Sequence, residues 1–465
     1  MKPLSSRAFV LCVGLAVSVL CAALAACGSG STPSTTTRSP ASAGTSPGAR
    51  PGGGASGGGA SGGTSGQIDT ARGGYTLNGG SATFSNHTFR ASGADESGVL
   101  VKNSGVLSLN NSTIRTTGDS KSNDQSSFYG LNAGLLAESG GHATLADTSV
   151  DTTGSGANDV FAYGSHASVA ITGGVLTAVG GGGHGAMARG GGVLKLTDVT
   201  FSTAGASSAA VATDRGGGSI SVRGGSMHTT GFKSPGIYST GKISVDGAKM
   251  TASAAEAAVV EGGNSITVTD TTLSASAKGD HGVMLYNSMS GDAAVGTGYY
   301  TMTGGSLTAL AGPAFYVTNT KAVIKVAGQA KINASSHVLL RSDNAGTGSG
   351  NTGAGRTVFT AIGETLSGNL ITGGTGTIAA TLRNHTTLTA TINEAALTID
   401  STSKWIVTAN STLTSLRDAS EISGTSIKNI VGNGHTIIYD ASLAANSKLG
   451  GKTYKLTDGG VLKPA

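Results

Sequence analysis

Few residues in this chain combine a reactive type with a suggestive setting. Cys27 follows Leu24-Ala25-Ala26 and precedes Gly28, so it offers a nucleophilic thiol behind small residues, a place where a lipid could be attached. Two interruptions of an otherwise regular pattern gather polar and aromatic side chains. Residues 118–129 carry Asp119, Lys121, Asp124, Phe128 and Tyr129, and residues 287–299 lead into Tyr299 and Tyr300. Aromatic faces beside carboxylates suit a sugar ring or a protein surface, which makes Asp119, Asp124, Phe128, Tyr129, Tyr299 and Tyr300 the candidate ligand contacts. A third interruption, 344–355, carries no comparable group.

Catalytic signals are sparse. No two aspartates are adjacent, and the nine histidines are scattered singly without metal-ligand spacing. Asp147, Asp198, Asp246 and Asp270 each follow an apolar strand by one or two places, where aspartate makes turns. The expectation is therefore no catalytic residue, no metal and no cofactor.

The elements that must position these groups are set by composition. Of 465 residues 77 are glycine, charged residues make up 12% and aromatics 4%. An ordinary helical or α/β enzyme is richer in Leu, Glu and Lys. Glycine has no three-residue period, which excludes collagen, and 38% hydrophobic content is more than a solvated coil carries. Many short strands and tight turns remain.

A repeat sets their order. Leu109, Leu145, Ile171, Leu196, Val222, Val245, Val268 and Met302 follow one another at steps of 36, 26, 25, 26, 23, 23 and 34 residues. Five residues after each stands a second apolar anchor: Ile114, Val150, Leu176, Phe201, Met227, Met250, Leu273 and Leu307. Two further on the series is Thr116, Thr152, Ala178, Thr203, Thr229, Ala252, Ala275 and Ala309. Period-2 alternation puts all three series on one face, so the threonines are expected to line the core. A unit of this length cannot bury its apolar side chains alone and must stack on its neighbours. Glycines at the bends supply positive φ.

Such a coil resembles the right-handed single-stranded parallel β-helix, an all-β solenoid. Across residues 67–400 and a C-terminal section 401–465, the expectation is about sixteen layers of ~4.8 Å, or ~75 Å. Lys404-Trp405-Ile-Val-Thr-Ala-Asn410-Ser-Thr-Leu413-Thr-Ser-Leu416 and the final Leu449–Leu462 stretch resemble the closing layers of autotransporter passenger β-helices. Trp405 is expected to plug and cap the core. No barrel strands follow, so export is expected to depend on the N-terminus rather than on self-translocation. Gly183-His184-Gly185 resembles the Gly-His-Gly of polygalacturonases, but that family's accompanying Asn-Thr-Asp, Asp-Asp and Arg-Ile-Lys elements are absent.

The N-terminus has a short positive head at Lys2 and Arg7, then an apolar run from Ala8 to Ala26 that is short for a membrane span. With Leu24-Ala25-Ala26-Cys27 it resembles a bacterial lipoprotein signal. That resemblance implies removal of residues 1–26, lipidation of Cys27 and an extracytoplasmic, membrane-anchored protein, on the outer membrane where two membranes exist. Residues 27–66 form a Gly/Ser/Pro-rich tether, a flexible coil with a span of about 35 Å. Loss of Lys2 and Arg7 takes the net charge from +5 to +3, too little to argue for a nucleic-acid partner. The function these readings favour is a lipid-anchored surface β-helix for adhesion or glycan binding, without catalysis. A polysaccharide lyase or hydrolase of the same fold is the alternative, and a purely structural rod is a third.

Overall fold

The computed structural model describes residues 71–288, 290–344, 353–418 and 422–465. The expected signal peptide, Cys27 and the tether lie outside these residues, as does most of the 344–355 interruption. Over most of its length the chain lays down three strands per turn, and each pairs in parallel with its counterpart one turn on. In one turn these are Glu96–Lys102, Val106–Asn110 and Thr113–Thr116, which belong to the first, second and third sheet respectively. The first sheet has thirteen strands and the third has ten. The result is a parallel β-solenoid of about 15 turns.

The register joins the repeat positions one by one. Leu109 pairs with Leu145, Leu145 with Ile171, Ile171 with Leu196 and Leu196 with Val222, and the series runs on through Val245 and Val268 to Met302. Phe84 precedes it, and Val326, Ala361, Leu382 and Ile399 extend it. The second anchors stack in the same way on the third sheet, from Ile114 to Leu307. Thr116, Thr152, Thr203 and Thr229 are buried, as their parity requires. The hydroxyls of Thr152, Thr203 and Thr229 donate to the carbonyls of Ala157, Ser208 and Ser234. A threonine here fits a small space and also ties the next bend.

Between the second and third sheets the chain turns on a left-handed residue in each layer, followed in three of them by a second left-handed glycine, Gly174, Gly225 or Gly305. Asn86, Asn111, Asp147, Gly173, Asp198, Gly224, Gly247, Asp270 and Gly304 all have φ between 43° and 68°. Only Gly, Asn and Asp adopt this conformation at low cost. The expected aspartate turns at 147, 198 and 270 are thus observed, while at Asp246 the left-handed residue is the following Gly247. These residues also depend on the layer before them. A Cβ at Gly173, Gly224 or Gly304 would lie 2.3, 2.1 and 2.1 Å from the Oδ1 of Asp147, Asp198 and Asp270. Each of these carboxyls fills the space that its successor must leave empty.

At the C-terminal end, Trp405 is wholly buried and its indole N–H donates to the Ala390 carbonyl. Tyr454–Thr457 pairs antiparallel with Val461–Pro464, which breaks the parallel pattern at the last strands.

The stacked corner predicts a specific coupling. Gly224→Ala should lower stability by about 1–3 kcal/mol through positive φ and the clash with Asp198. Asp198→Gly should be nearly neutral alone and should restore part of the loss in the double variant, measured by denaturant unfolding.

Candidate functional site

The first sheet differs from the other two in burying both faces. Val99, Val101, Leu135, Ala137, Val160 and Ala162 enter the main core, whereas Leu100, Leu136, Phe161, Met187 and Ala212 form a separate outer cluster. Register carries this outer column on through Tyr238, Val259, Met284 and Tyr316. Strands buried on both sides read as continuous apolar runs, as Leu135-Leu136-Ala137 does. Two residues beyond the column, on the same outward face, stand Glu138, Tyr163, Arg189 and Asp214 in consecutive layers.

A cleft of about 420 Å³ opens over this face. Its floor includes Met187 and Tyr238, and its rim includes His184, Ser207, Lys233 and Pro235 from the corner loops. Both aromatic-bearing interruptions reach it. The first folds as the helix Asn123–Tyr129 and contributes Asp124 and Phe128, and the second contributes Asp292. Arg215 links the two. Its guanidinium lies 4.0 Å from the Phe128 ring centroid, and its Nε donates to Asp292 Oδ1 at 2.7 Å. Arg189 lies over the same ring at 5.2 Å and donates to the Phe128 carbonyl. Cation–π contact and a partly buried ion pair therefore hold together segments more than 150 residues apart in sequence.

Behind the rim, Glu261 fixes the start of the second interruption. Its carboxylate accepts from the Tyr238 and Tyr286 hydroxyls and from the Ser288 hydroxyl and amide. Burial, followed by the charge of Glu261, holds both tyrosines well above their usual range, so they remain donors.

Besides Tyr238, two titratable groups in the cleft are strongly perturbed. Burial, and after it the charge of Asp292, pushes the Asp214 carboxyl up to about 7, against a weaker opposing effect from its hydrogen bond with the Arg215 amide. Burial lowers His184 to about 4, so its ring is neutral at physiological pH. His184 Nδ1 accepts the Ala209 amide at 2.9 Å, which places the ring proton on Nε2.

The candidate contacts separate on this frame. Asp124 and Phe128 line the cleft. Tyr129 is half-buried behind it, 5.6 Å from the Tyr163 ring. Asp119 is exposed and accepts the Ser155 amide of the next layer, a corner bond. Tyr299 is 50% exposed on the outward face of the second sheet and does not line the cleft. Tyr300 requires a correction. It faces inward, packs 5.8 Å from Phe315 and is wholly buried, because its neighbour in the alternation, Tyr299, takes the outward position. It therefore cannot meet a ligand.

The sequence reading did not select His184, Asp214, Arg215, Lys233, Tyr238 or Asp292. One signal was available for Asp214: the phase just beyond the apolar triplets of the first sheet, with Glu138, Tyr163, Arg189, Asp214, Glu261, Tyr286 and Asp343, holds most of the polar outward groups. Among the described residues, no group of three or more His, Cys, Asp or Glu side chains is placed to hold a metal ion. No family model matches the sequence, and comparison with curated proteins finds no match.

Two measurements test this placement. The buried Tyr300 hydroxyl has no hydrogen-bond partner among the described residues, so Tyr300→Phe should raise stability by about 1 kcal/mol and leave ligand binding unchanged. Asp214 binds its proton more tightly when folded, so its effect on stability is absent below about pH 4 and grows as pH rises through 7. Unfolding followed from pH 4 to 8 should show falling stability, by about 4 kcal/mol for the full shift, and Asp214→Asn should flatten that slope.

Proposed function

We propose that this chain is a lipid-anchored surface β-helix whose cleft over the first sheet binds glycan. The observation that carries the reading is the meeting of the two interruptions there. They bring the Phe128 ring, Asp124 and Asp292 to a concave site of about 420 Å³ whose rim also holds Lys233 and whose floor includes Met187. Carbohydrate sites combine such apolar faces with a few directed polar groups. Cys27 would carry the lipid and residues 27–66 would lift the solenoid clear of the membrane. The closing layers, with Trp405 and the final antiparallel pair, would cap the coil as in the autotransporter passengers they resemble.

One observation favours the competing reading, cleavage of a polysaccharide. Three carboxylates, Asp124, Asp214 and Asp292, converge in the cleft, and Asp214 holds a proton up to about pH 7 beside Asp292. A protonated acid beside an ionised one is the equipment of glycoside hydrolysis. The tight pairing of Asp292 with Arg215 speaks for binding, since it occupies the second carboxylate.

Cys27→Ser should move the protein from the membrane to the soluble fraction, and this variant is the form to test on a glycan array beside a reducing-end assay. Binding without release of reducing ends is the expected result. Release abolished by Asp214→Asn would establish the enzyme, and neither binding nor release would leave the structural rod.

A further inference from the structure

Three features of the cleft narrow the ligand, on the premise that the cleft binds glycan. The first is a donor of fixed direction. His184 is neutral, its Nδ1 is occupied by the Ala209 amide, and its Nε2–H has no partner among the described residues while the ring lines the cleft. A hydroxyl in this place could turn to donate or accept. This group can only donate, so it calls for an acceptor oxygen.

The second, one layer on, is an acceptor once Asp214 has lost its proton, above about pH 7. Asp214 follows Arg189 in register, and one of its carboxyl oxygens takes the Arg215 amide. The other has no partner among the described residues, and Asp214 also lines the cleft. The third is an apolar spot between them. Met187 lies three residues after His184, and its register partner Ala212 is the shortest side chain in the outer column that runs from Leu100 to Tyr316. The next member, Tyr238, again lines the cleft. Met187 and Tyr238 thus supply the apolar part of the floor within two layer spacings of about 4.8 Å each, and the wholly buried Ala212 between them does not line the cleft.

An acetamido group carries the matching chemistry: a carbonyl oxygen, an N–H and a methyl. A uronate does not, because it offers neither an N–H for Asp214 nor a methyl for Met187. We propose that the cleft recognises glycans bearing N-acetylated amino sugars, with His184 donating to the acetamido oxygen, Asp214 accepting its N–H and the methyl seated against Met187. His184 is then a specificity-determining residue, and Gly183-His184-Gly185 contributes to binding.

The test uses the full chain in detergent at about pH 8, where Asp214 is ionised, and titrates oligomers of N-acetylglucosamine, the same oligomers after N-deacetylation, and glucose oligomers. The acetylated oligomers should bind about tenfold tighter or more than either of the others, the loss expected when a buried donor and acceptor are left unpaired. His184→Ala should weaken acetylated binding about 3–10-fold and shrink the preference over glucose oligomers, which a merely structural role would not do. His184→Gln, with one acceptor for the Ala209 amide and one donor for the ligand, should retain it. Including branched glycans with one terminal N-acetylated sugar distinguishes recognition of a uniform chain from recognition of a chain end. Equal binding of all three oligomers, or preference for uronates, overturns the acetamido proposal and leaves glycan binding standing. Binding of no glycan overturns both. Should His184→Ala fail to fold, the ligand comparison on the unaltered chain still decides.

Discussion

One constraint governs this molecule: each layer must sit on the last at the spacing of a backbone hydrogen bond, so every residue meets its own counterpart one turn away. Side chains are then chosen in columns. Ile171 between Leu145 and Leu196 buries its surface against two like neighbours, and a change of volume at one layer is felt at both. The same spacing brings main chain against main chain at the corners. That is why small residues and threonines, three of them (Thr152, Thr203 and Thr229) tied to nearby carbonyls, occupy the column from Thr116 to Ala309, and why the corner between the second and third sheets admits only Asn, Asp and Gly from Asn86 to Gly304.

Function-bearing groups arise where this regularity is broken. A perfectly periodic coil offers the same surface at every layer and so no singular place for a ligand. The helix Asn123–Tyr129 and the segment holding Asp292 lengthen two layers and fold over the first sheet, and Arg215 bonds to both. Burial under these segments, with Asp292 nearby, keeps the Asp214 proton into the neutral range, while burial against the loops keeps His184 uncharged. The electrostatic character of the cleft is therefore a product of the insertions and of the sheet together.

The sequence revealed the periodic part of the structure well. Matching apolar residues at fixed offsets need only strand geometry and the demand for burial, and all eight positions from Leu109 to Met302 stand in register. The site was legible in half. The two aromatic-bearing interruptions stood out by length, and Asp124 and Phe128 do reach the cleft, yet Tyr300 was read as exposed although period-2 alternation with Tyr299 allows only one of the pair outside. Asp214 and Asp292 escaped because their nearness depends on how two loops fold over one sheet, which no local spacing encodes. His184 sat in a glycine-rich tract, where its tautomer and burial are set by a neighbour in the next layer.

The paired corners carry a consequence for how such a chain can lengthen. Asp147, Asp198 and Asp270 are each followed one turn later by a glycine whose missing side chain makes room for the carboxyl. A tandem duplication that copied an aspartate turn directly behind itself would stack two anions a strand spacing apart and press one against the other's Cβ. Duplications that copy an aspartate turn together with its glycine successor avoid both penalties. The order of turns therefore follows a grammar, and shuffling single turns within the solenoid would break it even though every turn has the same shape.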